Sequence, residues 1–130
     1  MGTEVSVYFW HDNAAEADNI IEAVFVEVDR INALMSTYVD TSRISEINRD
    51  AAAGPVVAGG ELYMLIQRSL EVSELTGGAF DITYESVGQH YDFRERERPD
   101  EKTIEAEQPL IDYSLVELDA DAGTVHFGQE

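Results

Sequence analysis

Between Ala14 and Leu34 the apolar residues return at helical spacing: Ala17, Ile20, Ile21, Val24, Val28, Ile31 and Leu34 share one stripe, with Glu16, Glu22, Asp29 and Arg30 between them. This pattern commits the whole stretch to one amphipathic helix, and such a helix persists in water mainly by covering its apolar side. A second stretch, Glu61 to Thr76, carries Leu62, Leu65, Ile66 and Leu70 and stops at Gly77-Gly78. The segments around them read differently. Glu4-Val5-Ser6-Val7-Tyr8-Phe9-Trp10 alternates like a strand, and His11-Asp12-Asn13 supplies a polar break with a helix N-cap. Ser42-Arg43-Ile44-Ser45-Glu46-Ile47-Asn48 predicts a short helix capped by Ser42, with Glu46 near the capping-box position.

Ala51-Ala52-Ala53-Gly54-Pro55 reads as a turn and Val56-Val57 as a brief extended step. Ala79 to Tyr84 reads as a loop entering extended chain, and the charged, aperiodic stretch Asp92 to Glu107, with Pro99 inside it, as a solvated loop. Leu115-Val116-Glu117-Leu118, Asp119 to Gly123 and Thr124-Val125-His126-Phe127 predict strand, turn and strand. The sum is one α+β domain without an internal repeat, and 130 residues suffice for a hydrophobic core.

Charge narrows the partners. Against 27 Asp and Glu stand 8 Lys and Arg, a formal net charge of −19 whose field repels nucleic acid and anionic lipid. Seven of the cations are Arg and one is Lys102, an acid-rich, Lys-poor balance suited to concentrated salt, where screening relieves the repulsion. The absence of Cys excludes disulfides, thiolate metal sites and cysteine nucleophiles. No apolar run reaches membrane-span length, and Met1-Gly2-Thr3 leads directly into the alternating run without the features of a signal peptide.

Small and hydroxyl residues crowd three places: Ser36-Thr37-Tyr38, Ser42 to Asn48, and Thr76-Gly77-Gly78-Ala79-Phe80-Asp81. Adjacent glycines either end a helix or let backbone amides approach a ligand, and Phe80 beside Asp81 offers a flat apolar face next to an acceptor. Tyr38 either stacks on a planar ring or packs on the core. Asp119-Ala120-Asp121-Ala122-Gly123 echoes a calcium loop but lacks its terminal Glu and reads as a hairpin turn. His11, His90 and His126 show no ligand spacing, so no metal site is expected among these residues.

In order along the chain, Met1-Gly2-Thr3 before a strand, Ser36-x-Tyr38, Ser42-x-Ile44-Ser45-x-Ile47-Asn48 and Thr76-Gly77-Gly78-Ala79-Phe80-Asp81 resemble the ApbE-type FAD:protein FMN transferases, also called thiamine biosynthesis lipoproteins. The resemblance implies helices packed on a mainly antiparallel sheet. It implies an enzyme that splits the pyrophosphate of FAD with Mg²⁺ and attaches FMN to a Thr hydroxyl of a target protein, releasing AMP. Met1, Tyr38, Ala79, Phe80 and Asp81 match the family's FAD-contacting positions. A cell-envelope, lipid-anchored location follows from the same resemblance.

Family members exceed twice this length. Their Gly-rich Ala-Lys-Gly turn and their Mg²⁺ ligands belong to sequence beyond Phe127, so residues 1–130 are expected to form the N-terminal portion of the transferase domain. That portion is expected to be inactive alone; the alternative is a non-catalytic flavin-binding or structural module. If Thr124 to Phe127 formed a bare sheet edge, its unpaired amides would favour self-association.

Overall fold

The computed structural model describes residues 4–92 and 95–128. Among these residues five α-helices and three strands follow one another as α1 (Ala14–Met35), α2 (Arg43–Asp50), β1 (Val56–Val57), α3 (Gly60–Thr76), α4 (Glu85–Gly88), α5 (Glu101–Glu107), β2 (Val116–Asp119) and β3 (Thr124–Phe127). Short 3₁₀ turns at Ile82–Tyr84, Gln108–Leu110 and Tyr113–Leu115 join the later elements.

Local chemistry accounts for the helix starts. Asn13 caps α1, its side-chain oxygen accepting from the amides of Ala15 (3.0 Å) and Glu16 (3.4 Å). Ser42 caps α2 by accepting from the Ser45 amide at 3.2 Å. The expected capping box does not close: Glu46 lies one residue beyond the required position and instead takes the Arg43 guanidinium at 2.6 Å. α3 ends as the glycines predict. Gly77 is left-handed (φ 60°), and its amide and that of Gly78 close on the carbonyls of Glu74 (3.1 Å) and Ser73 (2.9 Å).

The strands form one antiparallel sheet in the order β1-β3-β2. Val56 pairs with Val125 and Val57 with Thr124 on one side of β3; Val116 pairs with Phe127 and Asp119 with Thr124 on the other. The tight β2–β3 turn is held by Asp119, whose carboxylate accepts from the amides of Asp121 (2.9 Å) and Ala122 (3.0 Å), in accord with the hairpin reading. β3 is therefore the central strand, and the expectation of a bare edge there is overturned. The cause is the two-residue step at Val56–Val57, too short to be recognised from sequence as a partner, which covers the second side of β3.

The core lies between this sheet and helices α2 and α3: Ile47, Ala51, Ala58, Leu62, Ile66, Val116 and Val125 are buried together. Leu34 and Met35 bring the end of α1 onto it. No residue of α1 is fully buried; Ile20 and Ile21 of its stripe remain exposed, as do Phe25 and Val26 beside it.

Three other expectations change. Residues 4–10 form no strand, because no described strand lies alongside to pair with them; Val5, Val7 and Tyr8 instead border, with Ile21, Val24 and Phe25 of α1, a cleft of about 280 Å³. Tyr8 and Trp10 stay 90% and 82% exposed. Ile82–Tyr84 and α4 replace the extended chain expected after Asp81, since the Asp81 side chain caps the turn by accepting from the Thr83 amide. The charged stretch after Asp92 is not all loop: Asp100, just after Pro99, caps α5 through the Thr103 amide at 2.8 Å, a local signal that apolar periodicity does not detect.

Candidate functional site

Four of the five sequence-selected residues stand on two loops; the fifth, Met1, lies outside the described residues. The first loop connects α1 to α2. α1 closes where the Ser36 amide donates to the Asn32 carbonyl at 3.1 Å, and the chain then turns through Val39 N–H to Ser36 C=O (3.2 Å) and Ser42 N–H to Val39 C=O (2.9 Å). Tyr38 sits at the tip, 81% exposed, which sets aside the core-packing alternative for this ring. Beneath it lies a serine cluster. The fully buried Ser42 hydroxyl donates to the Ser36 carbonyl at 2.7 Å, and the Ser45 hydroxyl lies 3.0 Å from it. The hydroxyl of Ser36 is itself buried, with no hydrogen-bond partner.

The second loop follows α3. The Thr76 hydroxyl donates to the Val72 carbonyl at 2.9 Å and accepts from the Phe80 amide at 3.1 Å, so the last turn of the helix holds the loop above it. Ala79 is exposed and Phe80 is 44% exposed. Asp81 is half-buried and heavily engaged: one carboxylate oxygen accepts from the Thr83 amide (2.8 Å) and hydroxyl (2.6 Å), the other from the Tyr113 amide at 3.0 Å. Of the roughly four lone-pair sites on a carboxylate, three are taken within the chain. The Tyr113 ring faces Gly78, where an added Cβ would lie 3.7 Å from its Cε1 atom.

The two loops lie outside both described clefts of the chain. Apart from the one beside α1, a cleft of about 310 Å³ lies between α3 and β2, lined by Gln67, Leu70, Glu71, Glu74, Tyr113, Val116 and Leu118; Tyr38, Ala79, Phe80 and Asp81 border neither. Sequence reasoning marked Ser42 and Thr76 within their motifs without assigning either a role in holding a loop, and passed over Tyr113. The only local bond legible for Ser42 was its helix cap, and the Tyr113 contact spans 32 residues of chain.

The surrounding charge is managed in pairs. Arg30 bridges α1 to α3, reaching Glu27 at 2.8 Å and Glu61 at 2.7 Å, and its hydrogen bonds hold both carboxyls below their usual range. The hydroxyl and amide of Ser114 similarly lower Asp112. Each histidine meets a carboxylate: His11 with Glu16 (3.4 Å), His90 with Glu107 (2.8 Å) and His126 with Glu117 (3.3 Å). Among the described residues no three His, Asp or Glu side chains converge in a way that could hold a metal ion, so the residues present do not fit a Mg²⁺ site. No described helix is long and apolar enough to cross a membrane.

Comparison with known proteins places this arrangement. The family model described as the ApbE family matches residues 1–129. An FAD:protein FMN transferase of Treponema pallidum is 35% identical over 68 residues, covering 52% of this chain and 19% of that protein. One of Vibrio cholerae is 24% identical over 101 residues, covering 77% and 30%. The crystal structure of the ApbE protein from Thermotoga maritima superposes with a TM-score of 0.74 at 26% identity, covering 86% of this chain and 37% of that one. The flavin transferase ApbE from Vibrio cholerae shares the fold with a TM-score of 0.70 at 18% identity, covering 88% and 37%. The chain thus spans about a fifth to a third of the curated relatives it matches. The α+β core, the ordered motifs and the match over residues 1–129 together show that the chain belongs to the ApbE family.

Proposed function

We propose that this chain supplies the FAD-handling N-terminal portion of an FAD:protein FMN transferase. The observation that carries the reading is that the family motifs fall on two loops, each presenting an exposed aromatic ring, Tyr38 or Phe80, from a hydrogen-bonded base. An exposed ring at a clamped loop tip offers a flat apolar face at little conformational cost, suited to the isoalloxazine or adenine of FAD. The one free acceptor position on Asp81 suits a ring N–H or a ribose hydroxyl. The reaction we assign is attack of a target-protein Thr hydroxyl on the FMN phosphorus, forming a phosphoester as the pyrophosphate bond breaks and AMP leaves.

Mg²⁺ dependence belongs to the same proposal, with ligands other than a cluster of the described residues. The relatives carrying the name FAD:protein FMN transferase support the reading, as does the partial coverage of their length for the narrower claim that further sequence completes the active site. We also place the working protein in the cell envelope, which fractionation of the source cells would check.

The test is incubation of the full-length transferase, whose N-terminal portion this chain supplies, with FAD, Mg²⁺ and an acceptor protein bearing the target Thr, across a salt series that screens this portion's −19 charge. A flavin-fluorescent acceptor band that survives denaturation, with stoichiometric AMP, supports transfer. Its absence at every salt concentration refutes the transferase reading. The second reading, a flavin-binding module without turnover, is favoured by the lack of a carboxylate cluster. It predicts FAD binding without AMP release.

A further inference from the structure

Ser42 reads from sequence as a helix cap, yet its hydroxyl does two things at once. It accepts from the Ser45 amide at 3.2 Å, which starts α2, and donates its single proton to the Ser36 carbonyl at 2.7 Å, six residues upstream. The Ser36 carbonyl also accepts the Val39 amide, so the two ends of the turn that carries Tyr38 are tied to one oxygen. The Ser42 residue has no exposed surface, and water cannot replace the bond without opening the loop. Tyr38 makes no comparable commitment: it is 81% exposed, and its place is set by the turn beneath it.

We propose that Ser42 is a positioning residue: through the Ser36 carbonyl it holds the turn that presents Tyr38 to the flavin. The proposal rests on the reading of Tyr38 as a flavin contact. Ser42 touches no ligand itself; its effect passes through the backbone of residues 36–39.

Two readouts on the full chain test this. In the first, hydrogen exchange without ligand, Ser42→Ala should speed exchange of the Val39 and Ser42 amides about tenfold, the size of one buried hydroxyl hydrogen bond, and leave the α3 amides unchanged. Unchanged protection at Val39 and Ser42 would overturn the proposal. In the second, FAD titration followed by flavin fluorescence, Ser42→Ala should weaken binding, Tyr38→Ala should weaken it at least as much, and the double variant should bind no worse than Tyr38→Ala alone. Additive losses overturn the proposal, because Ser42 would then act independently of Tyr38.

Ser42→Thr, which keeps the hydroxyl, should restore both readouts. Should Ser42→Ala fold poorly, Ser42→Gly serves in its place, since glycine is tolerated at an N-cap at a cost of a few tenths of a kcal/mol yet lacks the hydroxyl. If Tyr38→Ala leaves FAD affinity unchanged, the flavin reading of Tyr38 fails, and hydrogen exchange alone decides whether Ser42 holds the turn.

Discussion

Asp81 offers two roles, holding its loop and meeting a ligand, and replacing it in the unliganded protein measures the first. If the carboxylate serves mainly as a ligand contact, Asp81→Ala should lower FAD affinity and leave the stability of the unliganded protein unchanged. The structure gives it a holding role as well: it accepts three hydrogen bonds at 2.6, 2.8 and 3.0 Å, two from Thr83 and one from the Tyr113 amide, and so pins the loop after α3 to the turn before β2. A hydrogen bond contributes about 1 kcal/mol net, and more when the acceptor is charged; because Asp81 is half-exposed, the three together come to about 2–3 kcal/mol. For a chain of this size urea unfolding has a slope of about 1.5 kcal/mol per molar, so Asp81→Ala should lower the midpoint by about 1.3–2 M at unchanged slope. Asp81→Asn keeps one acceptor oxygen but turns the second into a donor facing the Tyr113 amide, and should lose about half as much. Far-UV circular dichroism across a urea series is the assay, run without FAD. A midpoint for Asp81→Ala within about 0.3 M of the parent would refute the pinning argument.

Ile47 is the buried anchor of α2, 1% exposed, and Ile47→Ala removes three carbons worth about 2.4 kcal/mol of transfer free energy; with the cavity left behind, the loss should reach about 3–4 kcal/mol by the same urea assay. Gly77 has open space around its Cα but a left-handed backbone, so Gly77→Ala should cost about 1–2 kcal/mol from conformation alone, and Gly77→Asn less, measured as a lowered Tm. Glu27 and Glu61 titrate below their ordinary range because of Arg30, so the stability they lend is present above the ordinary carboxylate pKa and is lost as pH falls through their depressed values. Arg30→Met should therefore lower Tm at neutral pH and low salt, with the gap to the parent closing in acid and in high salt; a gap that persists unchanged at pH 2 would contradict this.

Local patterns were sufficient wherever a single stretch carries its own instructions. The 3.6-residue stripe located α1, Ser42 and Asn13 marked two helix starts, Gly77-Gly78 marked a helix end, and Asp119 to Gly123 marked the hairpin turn. The ordered motifs placed the candidate loops in the right positions along the chain and pointed to the family before any geometry was known. Tertiary structure decided the rest, because the deciding partner lies far away in sequence. Residues 4–10 alternate like a strand but have no described strand to pair with, whereas the unpromising Val56–Val57 becomes a strand because β3 lies beside it. The role of Asp81 is set by an amide 32 residues downstream, and the exposure of Tyr38 by a buried serine cluster that closes the loop from below. A hydrogen bond or a strand pairing needs two partners, and a sequence shows only one of them at a time.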